Sequence, residues 1–88
     1  MDSKRYQNKV IITPNDLGEA IRSFRKEKQL TLETLSGLSN VGMRFLSELE
    51  RGKETAELGK ALQVLRNLGL AVIIKPRVIT VEDSDLLC

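Results

Sequence analysis

Apolar and polar positions along this chain follow two periods, a helical one in the middle and a β-like one at each side of it. Leu17, Ala20, Ile21 and Phe24 recur every three or four residues, so they share one buried face while Arg22, Lys26 and Lys28 stay outside. A first helix is therefore predicted over about residues 15–28. Pro14 followed by Asn15 and Asp16 marks its start, with Asn15 or Asp16 as the cap and an early carboxylate complementing the positive end of the helix dipole. Leu30 leads into Thr31, whose hydroxyl is suited to cap a second helix over about residues 32–38, closed by Ser39 and Asn40. Val41 points inward and Gly42 relaxes the turn. A third helix follows from about Met43 to Arg51, with Leu46 and Leu49 as its buried pair and Gly52 just past its last turn. The fourth, over about residues 55–68, buries Leu58, Ala61, Leu62, Leu65 and Leu68 and ends at Gly69.

The flanks read differently. KVIIT (Lys9–Thr13) and LAVIIK (Leu70–Lys75) are β-branched runs limited by Pro14 and Pro76, and RVIT with Val81 offers a third. An isolated strand is not stable in water, so LAVIIK needs a neighbour. That neighbour is either KVIIT of its own chain or a copy from a second subunit, unless the run lies extended across helices one and four.

Composition narrows the function classes. Eighty-eight residues make one small domain with a single modest core, and 41% apolar with 30% charged residues is a globular balance. Three aromatics (Tyr6, Phe24, Phe45) are too few for a platform that stacks single-stranded bases. The formal charge is +2, and because Glu82, Asp83 and Asp85 place three negative charges in the last seven residues, residues 1–81 carry +5. That bias suits a polyanionic partner, although many ordinary surfaces share it. A lone cysteine, Cys88, allows no intrachain disulfide. No apolar run approaches the roughly 18 residues of a membrane span, and the first residues are polar where a signal peptide is apolar, so the cytoplasm is the expected compartment. With no histidine and no cluster of metal-ligand spacing, an enzyme is not expected, nor is a cofactor. Glu48 and Glu50, two apart on a helix, diverge rather than converge on a substrate.

Two short helices joined by a three- or four-residue turn, the second exposing its first residues, form the helix-turn-helix plan. The major groove of B-DNA admits one α-helix whose early residues reach base edges while its flanks meet phosphates. Met43, Arg44 and Ser47 lie together on the side opposite Leu46 and Leu49. Arg44 is either a solvated surface arginine or, within this pattern, a guanidinium that reads guanine O6 and N7 with two bonds. Ser47 is a direct contact or a spacer, and Met43 meets a thymine methyl or covers an apolar edge. Glu48, which phosphates repel, reads as a helix-face charge paired with Arg44 or Arg51 rather than as a cytosine reader. Lys26, Lys28, Arg51 and Lys53 are individually ordinary solubilising charges and as a set a phosphate cradle.

The stretch LTLETLSGLSNVGMRFLSELERGK resembles the helix-turn-helix of the lambda-repressor-like (Xre) regulators, and TAELGKALQVLRNLGL after it makes the chain more similar to Hip-type, HipB-like antitoxins, which neutralise a HipA-like kinase toxin. The likeness covers about residues 14–75. It implies a mainly α fold, a four-to-five-helix lambda-repressor-like DNA-binding domain with a short C-terminal β-strand pairing across a dimer. The chain then divides into an N-terminal arm (1–13), the helix-turn-helix domain (14–69), a dimerisation strand (70–81) and an acidic flexible tail (82–88). Carried over residue by residue, base contacts fall at Gly42, Met43, Arg44 and Ser47, and phosphate contacts at Thr31 beside the turn, at Lys26 and Lys28, and at Arg51 and Lys53. Arg25 and Glu50 match a family ion pair that ties the first helix to the third. Leu70, Ala71, Val72, Ile73, Ile74 and Lys75 match the dimer strand. Two positions depart from the pattern: Leu32 stands where a backbone-contacting glutamine is frequent, and Gly42 where a capping Ser or Thr is.

The function so implied is a homodimeric, sequence-specific repressor of a palindromic operator in double-stranded DNA. It is also the antitoxin of a type II toxin-antitoxin system, neutralising a HipA-like serine/threonine kinase of one polypeptide or two and autoregulating its operon in the nucleoid. The tail VEDSDLLC, disordered when free, is a weaker candidate for a segment that orders on the kinase. The alternatives are a plain Xre-type regulator without a toxin partner and an interaction module that has lost DNA binding.

Overall fold

The computed structural model describes residues 8–77, within which four helices follow in order: α1 (Pro14–Glu27), α2 (Leu32–Ser39), α3 (Met43–Glu50) and α4 (Leu58–Asn67). The polar start at 1–7, the third β-like run beyond Arg77 and the tail with Cys88 lie outside the described residues.

Each helix starts and stops for a local reason. Thr13, not Asn15 or Asp16, caps α1: its hydroxyl accepts the Asp16 N–H at 3.1 Å, and the Asp16 carboxylate accepts the N–H groups of Thr13 and Ile12, each at 3.0 Å. Pro14 moves the cap one step back because its fixed φ and missing N–H suit the first helical position. These backbone donors, Ile12 first and then Thr13, hold the Asp16 carboxyl below the usual aspartate range. Thr31 caps α2 by accepting the Thr34 N–H at 3.0 Å. All four helices end in a left-handed residue, at Gln29, Asn40, Gly52 and Gly69, with the paired carbonyl contacts of the Schellman motif.

Ile21, Leu35, Val41, Leu46, Leu49, Ala61, Val64, Leu65 and Leu68 form the core, against which Leu17, Phe24 and Leu30 are half-buried rather than fully enclosed. α3 packs on α1 and α2, and α4 packs on α2. The α1–α3 approach is close enough that a Cβ on Gly18 would lie 2.5 Å from the carbonyl oxygens of Leu49 and Glu50, so only glycine fits there.

Four further expectations need correction. α4 begins at Leu58, not Thr55, because residues 54–55 form a turn and Glu57 is extended (φ −64°, ψ 121°). Its inward stripe is Ala61, Val64, Leu65 and Leu68; Leu58 and Leu62, expected to be buried, lie on the flank of that stripe and are 68% and 40% exposed. The turn before α3 is relaxed at Asn40 (φ 55°), while Gly42 has φ −71°, which any residue adopts. Among the described residues neither KVIIT nor LAVIIK is in a strand, so the two runs of one chain do not pair with each other. Leu70 packs half-buried on the core, and Val72, Ile73 and Ile74 after it face outward without a neighbouring strand among the described residues.

Candidate nucleic-acid interface

α2, the turn Asn40–Gly42 and α3 form one rigid unit. Asn40 takes the left-handed conformation, Val41 turns into the core, and the buried Ser36 hydroxyl donates to the Val41 carbonyl at 2.6 Å, which fixes the path between the helices. Sequence reasoning missed Ser36, since a serine inside a helix gives no sign of the carbonyl five residues on. Leu46 and Leu49 anchor the inner side of α3. Its last turn is tied to α1 by a two-bond ion pair: Arg25 Nε to Glu50 Oε2 at 2.6 Å and Arg25 Nη2 to Glu50 Oε1 at 3.1 Å. The remaining Arg25 nitrogen, Nη1, donates to the Leu30 carbonyl at 2.9 Å, so the same guanidinium also holds the α1–α2 turn.

With the inner side fixed, the outer side of α3 is presented without freedom to roll. The Arg44 side chain is 91% exposed, Met43 is about half exposed and Ser47 is half-buried beside them. Gly42 is exposed, and a Cβ there would meet nothing within 4 Å, so its missing side chain leaves open space at the helix start. Unlike Thr13 and Thr31, Gly42 makes no capping bond, and the first-turn amides of α3 have no side-chain acceptor there. Thr31 is exposed, and its hydroxyl both accepts from Thr34 N–H and contacts Thr34 Oγ1 at 2.9 Å, which makes it a cap before anything else. Leu32 packs on the core.

The cations are not equivalent. Lys26, Lys28 and Arg51 are exposed, and the Arg25–Glu50 bond sits one residue from Lys26 and one from Arg51. Lys53 and Arg44 instead share a carboxylate: Glu48 Oε1 lies 3.1 Å from Lys53 Nζ, and Glu48 Oε2 lies 3.7 Å from Arg44 Nε. The hydrogen bond from Lys53 is the main influence holding the Glu48 carboxyl below the usual range, with smaller contributions from the charges of Arg44 and Arg51. Behind α3, the Lys60 ammonium lies 5.6 Å from the centroid of the Phe45 ring. Among the described residues no group of His, Cys, Asp and Glu is arranged to hold a metal, and no helix is long and apolar enough to cross a membrane.

No family model matches the chain. The uncharacterized HTH-type transcriptional regulator y4mF of Sinorhizobium fredii is 48% identical over 66 residues, which are 75% of this chain and 87% of that protein. The chain belongs to the HTH-type transcriptional regulators. The clp gene regulator ClgR from C. glutamicum is 37% identical to this regulator, with a TM-score of 0.61 over 70% of this chain and 80% of ClgR. HipB, solved in a HipB-O4 20mer complex and in a HipA-HipB-O2-O3 complex, superposes with a TM-score of 0.73 in both, covering 78% of this chain and 97% of HipB at 19% identity. The regulator therefore has the HipB-like, Xre-type helix-turn-helix fold.

Proposed function

We propose that this regulator is a dimeric, sequence-specific repressor that reads a palindromic operator in double-stranded DNA with α3, and that it is the antitoxin of a type II toxin-antitoxin system, autoregulating its operon. The observation that carries the DNA reading is the 91% exposed Arg44 side chain on a helix whose other side is locked by Leu46, Leu49 and the Arg25–Glu50 bond. A guanidinium so placed is poised to make two bonds to guanine, and each such contact discriminates by about 1–3 kcal/mol. Met43 and Ser47 flank it, and the open space at Gly42 admits close approach of the helix start to the groove floor. Lys26, Lys28, Arg51 and Lys53, with Thr31 at the start of α2, meet the phosphates on either side.

One domain of this size reads few base pairs, so a second copy is needed, placing two helices in half-sites about 34 Å apart. LAVIIK supports that reading. Val72, Ile73 and Ile74 are 60%, 66% and 95% exposed, and a second copy of Leu70–Lys75 across a two-fold axis supplies the missing strand. The kinase partner is a HipA-like serine/threonine kinase, in one polypeptide or divided between two. This rests on the shared fold with HipB, which has been solved in complex with HipA.

Co-expression with the product of the adjacent gene, followed by a mobility-shift titration on the DNA upstream, tests both halves. The expected result is co-purification of a kinase together with a salt-sensitive, saturable shift. DNA binding with no kinase bound leaves a plain Xre-type regulator, and kinase bound with no shift leaves an interaction module.

A further inference from the structure

Glu48 is the one carboxylate that the outer side of α3 places among the proposed DNA contacts, and its position is built by the backbone. The Schellman motif at the end of α3, with Gly52 at φ +86°, directs the Lys53 N–H back to the Glu48 carbonyl at 3.1 Å. Lys53 is thus bonded to Glu48 at both ends, through its amide to the main chain and through Nζ to the carboxylate at 3.1 Å. On the next turn back, Arg44 approaches the same carboxylate through Nε at 3.7 Å.

We infer that Glu48 is a specificity determinant of the DNA interface: it occupies Lys53 and the inner edge of Arg44 so that they bind phosphate weakly, while leaving the outer edge of Arg44 aimed at a base. The inference rests on the DNA reading above. Its physics is a difference between two kinds of contact. Binding to arbitrary DNA is driven by cations that neutralise phosphates and release counterions, so a cation already neutralised by an internal carboxylate contributes less to it. A guanine contact through the two terminal nitrogens is compatible with Nε staying beside Glu48, and the carboxylate then biases the plane in which the guanidinium is offered. Glu48 therefore weakens arbitrary binding more than it weakens the matched site. It remains ionised at neutral pH, since Lys53 and the nearby arginines hold its carboxyl below the usual range.

The test is a pair of anisotropy titrations, wild type against Glu48→Gln, on a duplex carrying the upstream region and on a shuffled duplex of equal composition, over a series of salt concentrations. Glu48→Gln is nearly isosteric, and the half-buried carboxylate it replaces contacts the exposed Arg44 and Lys53, so the fold is retained. The expected result is several-fold tighter binding of the shuffled duplex, a log K against log salt slope steeper by about one to two units, and a smaller ratio of upstream to shuffled affinity. Unchanged or weaker binding of the shuffled duplex, or an unchanged ratio, overturns the inference. If the wild type prefers the upstream duplex and the variant behaves identically, Glu48's role falls and the DNA reading stands; if the wild type binds neither duplex at the lowest salt, both fall together.

Discussion

Two arginine–glutamate pairs in this small domain have the same chemistry and opposite consequences. Arg25 and Glu50 meet through two bonds of 2.6 and 3.1 Å with side chains only 10% and 6% exposed, while Arg44 Nε and Glu48 Oε2 lie 3.7 Å apart with side chains 91% and 27% exposed. In the buried pair every Arg25 nitrogen has an acceptor, Leu30 included, so neither partner has an alternative position. In the exposed pair water and salt compete for both charges, so the contact biases an orientation without enforcing it. The first pair makes α3 a fixed part of the protein. The second leaves its outer side exchangeable, as the proposed DNA contact requires.

The largest effect should come from breaking the buried pair. Arg25→Ala leaves the Glu50 carboxylate buried without its counter-charge, at a cost of about 3–5 kcal/mol. Set against the 5–15 kcal/mol typical of whole domains, that is enough to unfold much of the population at modest temperature. Urea titrations followed by circular dichroism measure it, and Arg25→Met combined with Glu50→Met should recover much of the loss, because the unpaired charge is then gone. A loss below about 1 kcal/mol for Arg25→Ala would show that burial does not separate the two pairs.

Arg44→Ala probes the other side of the comparison. The urea midpoint should stay at the wild-type value, since the Arg44 side chain supports nothing buried, while affinity for the upstream duplex drops by roughly 1–3 kcal/mol. Affinity for a shuffled duplex should change far less. Equal losses on both duplexes would make Arg44 a phosphate contact and remove it from the proposed base readers.

A third ionised group lies between these extremes. Asp16 is half-buried and accepts two backbone N–H groups, and its carboxyl is held below the usual range in the folded state. A group lowered in this way adds stability that is present above its unfolded pKa and lost as pH falls through the folded one, so the effect should fade from about pH 4 downward. Urea midpoints of wild type and Asp16→Asn, compared across that range, should differ at pH 7 and converge in acid. Thr13→Ala removes the other half of the box, costing about 0.5–2 kcal/mol at neutral pH.

What the sequence disclosed follows from the range of the physics involved. Helical spacing, Thr31 as a cap and Gly52 and Gly69 as stops depend on neighbours within a turn, and these are legible in the order of residues. TPND (Thr13–Asp16) was legible too as a capping box, yet the β-branched run before it drew Thr13 into a strand. Leu58 and Leu62 show the limit of periodicity: α4 has more apolar positions than the core admits, and only tertiary packing selects the stripe through Val64. Gly18 could not be read at all, because the reason for it is a pair of carbonyl oxygens some thirty residues away. At the interface, Met43, Arg44 and Ser47 were identifiable by their side of α3, whereas the capture of Lys53 by Glu48 depends on the Schellman turn and on side-chain placement.

The smallest effect, that of Ser39, separates burial from partnership when it is set beside Ser36 on the same helix. Ser36 and Ser39 are both buried on α2, but Ser36 donates to the Val41 carbonyl at 2.6 Å while Ser39 Oγ has no hydrogen-bond partner among the described residues. If a partner is what makes a buried polar group stabilising, Ser39→Ala removes only an unmet desolvation penalty and should be neutral or more stable by up to about 1 kcal/mol, whereas Ser36→Ala should cost about 1–3 kcal/mol. Parallel urea titrations of the two variants measure the difference directly. Equal losses would mean that packing volume at α2 outweighs hydrogen bonding, and the Arg25–Glu50 pair would then have to be judged by the space its side chains fill as well as by its charges.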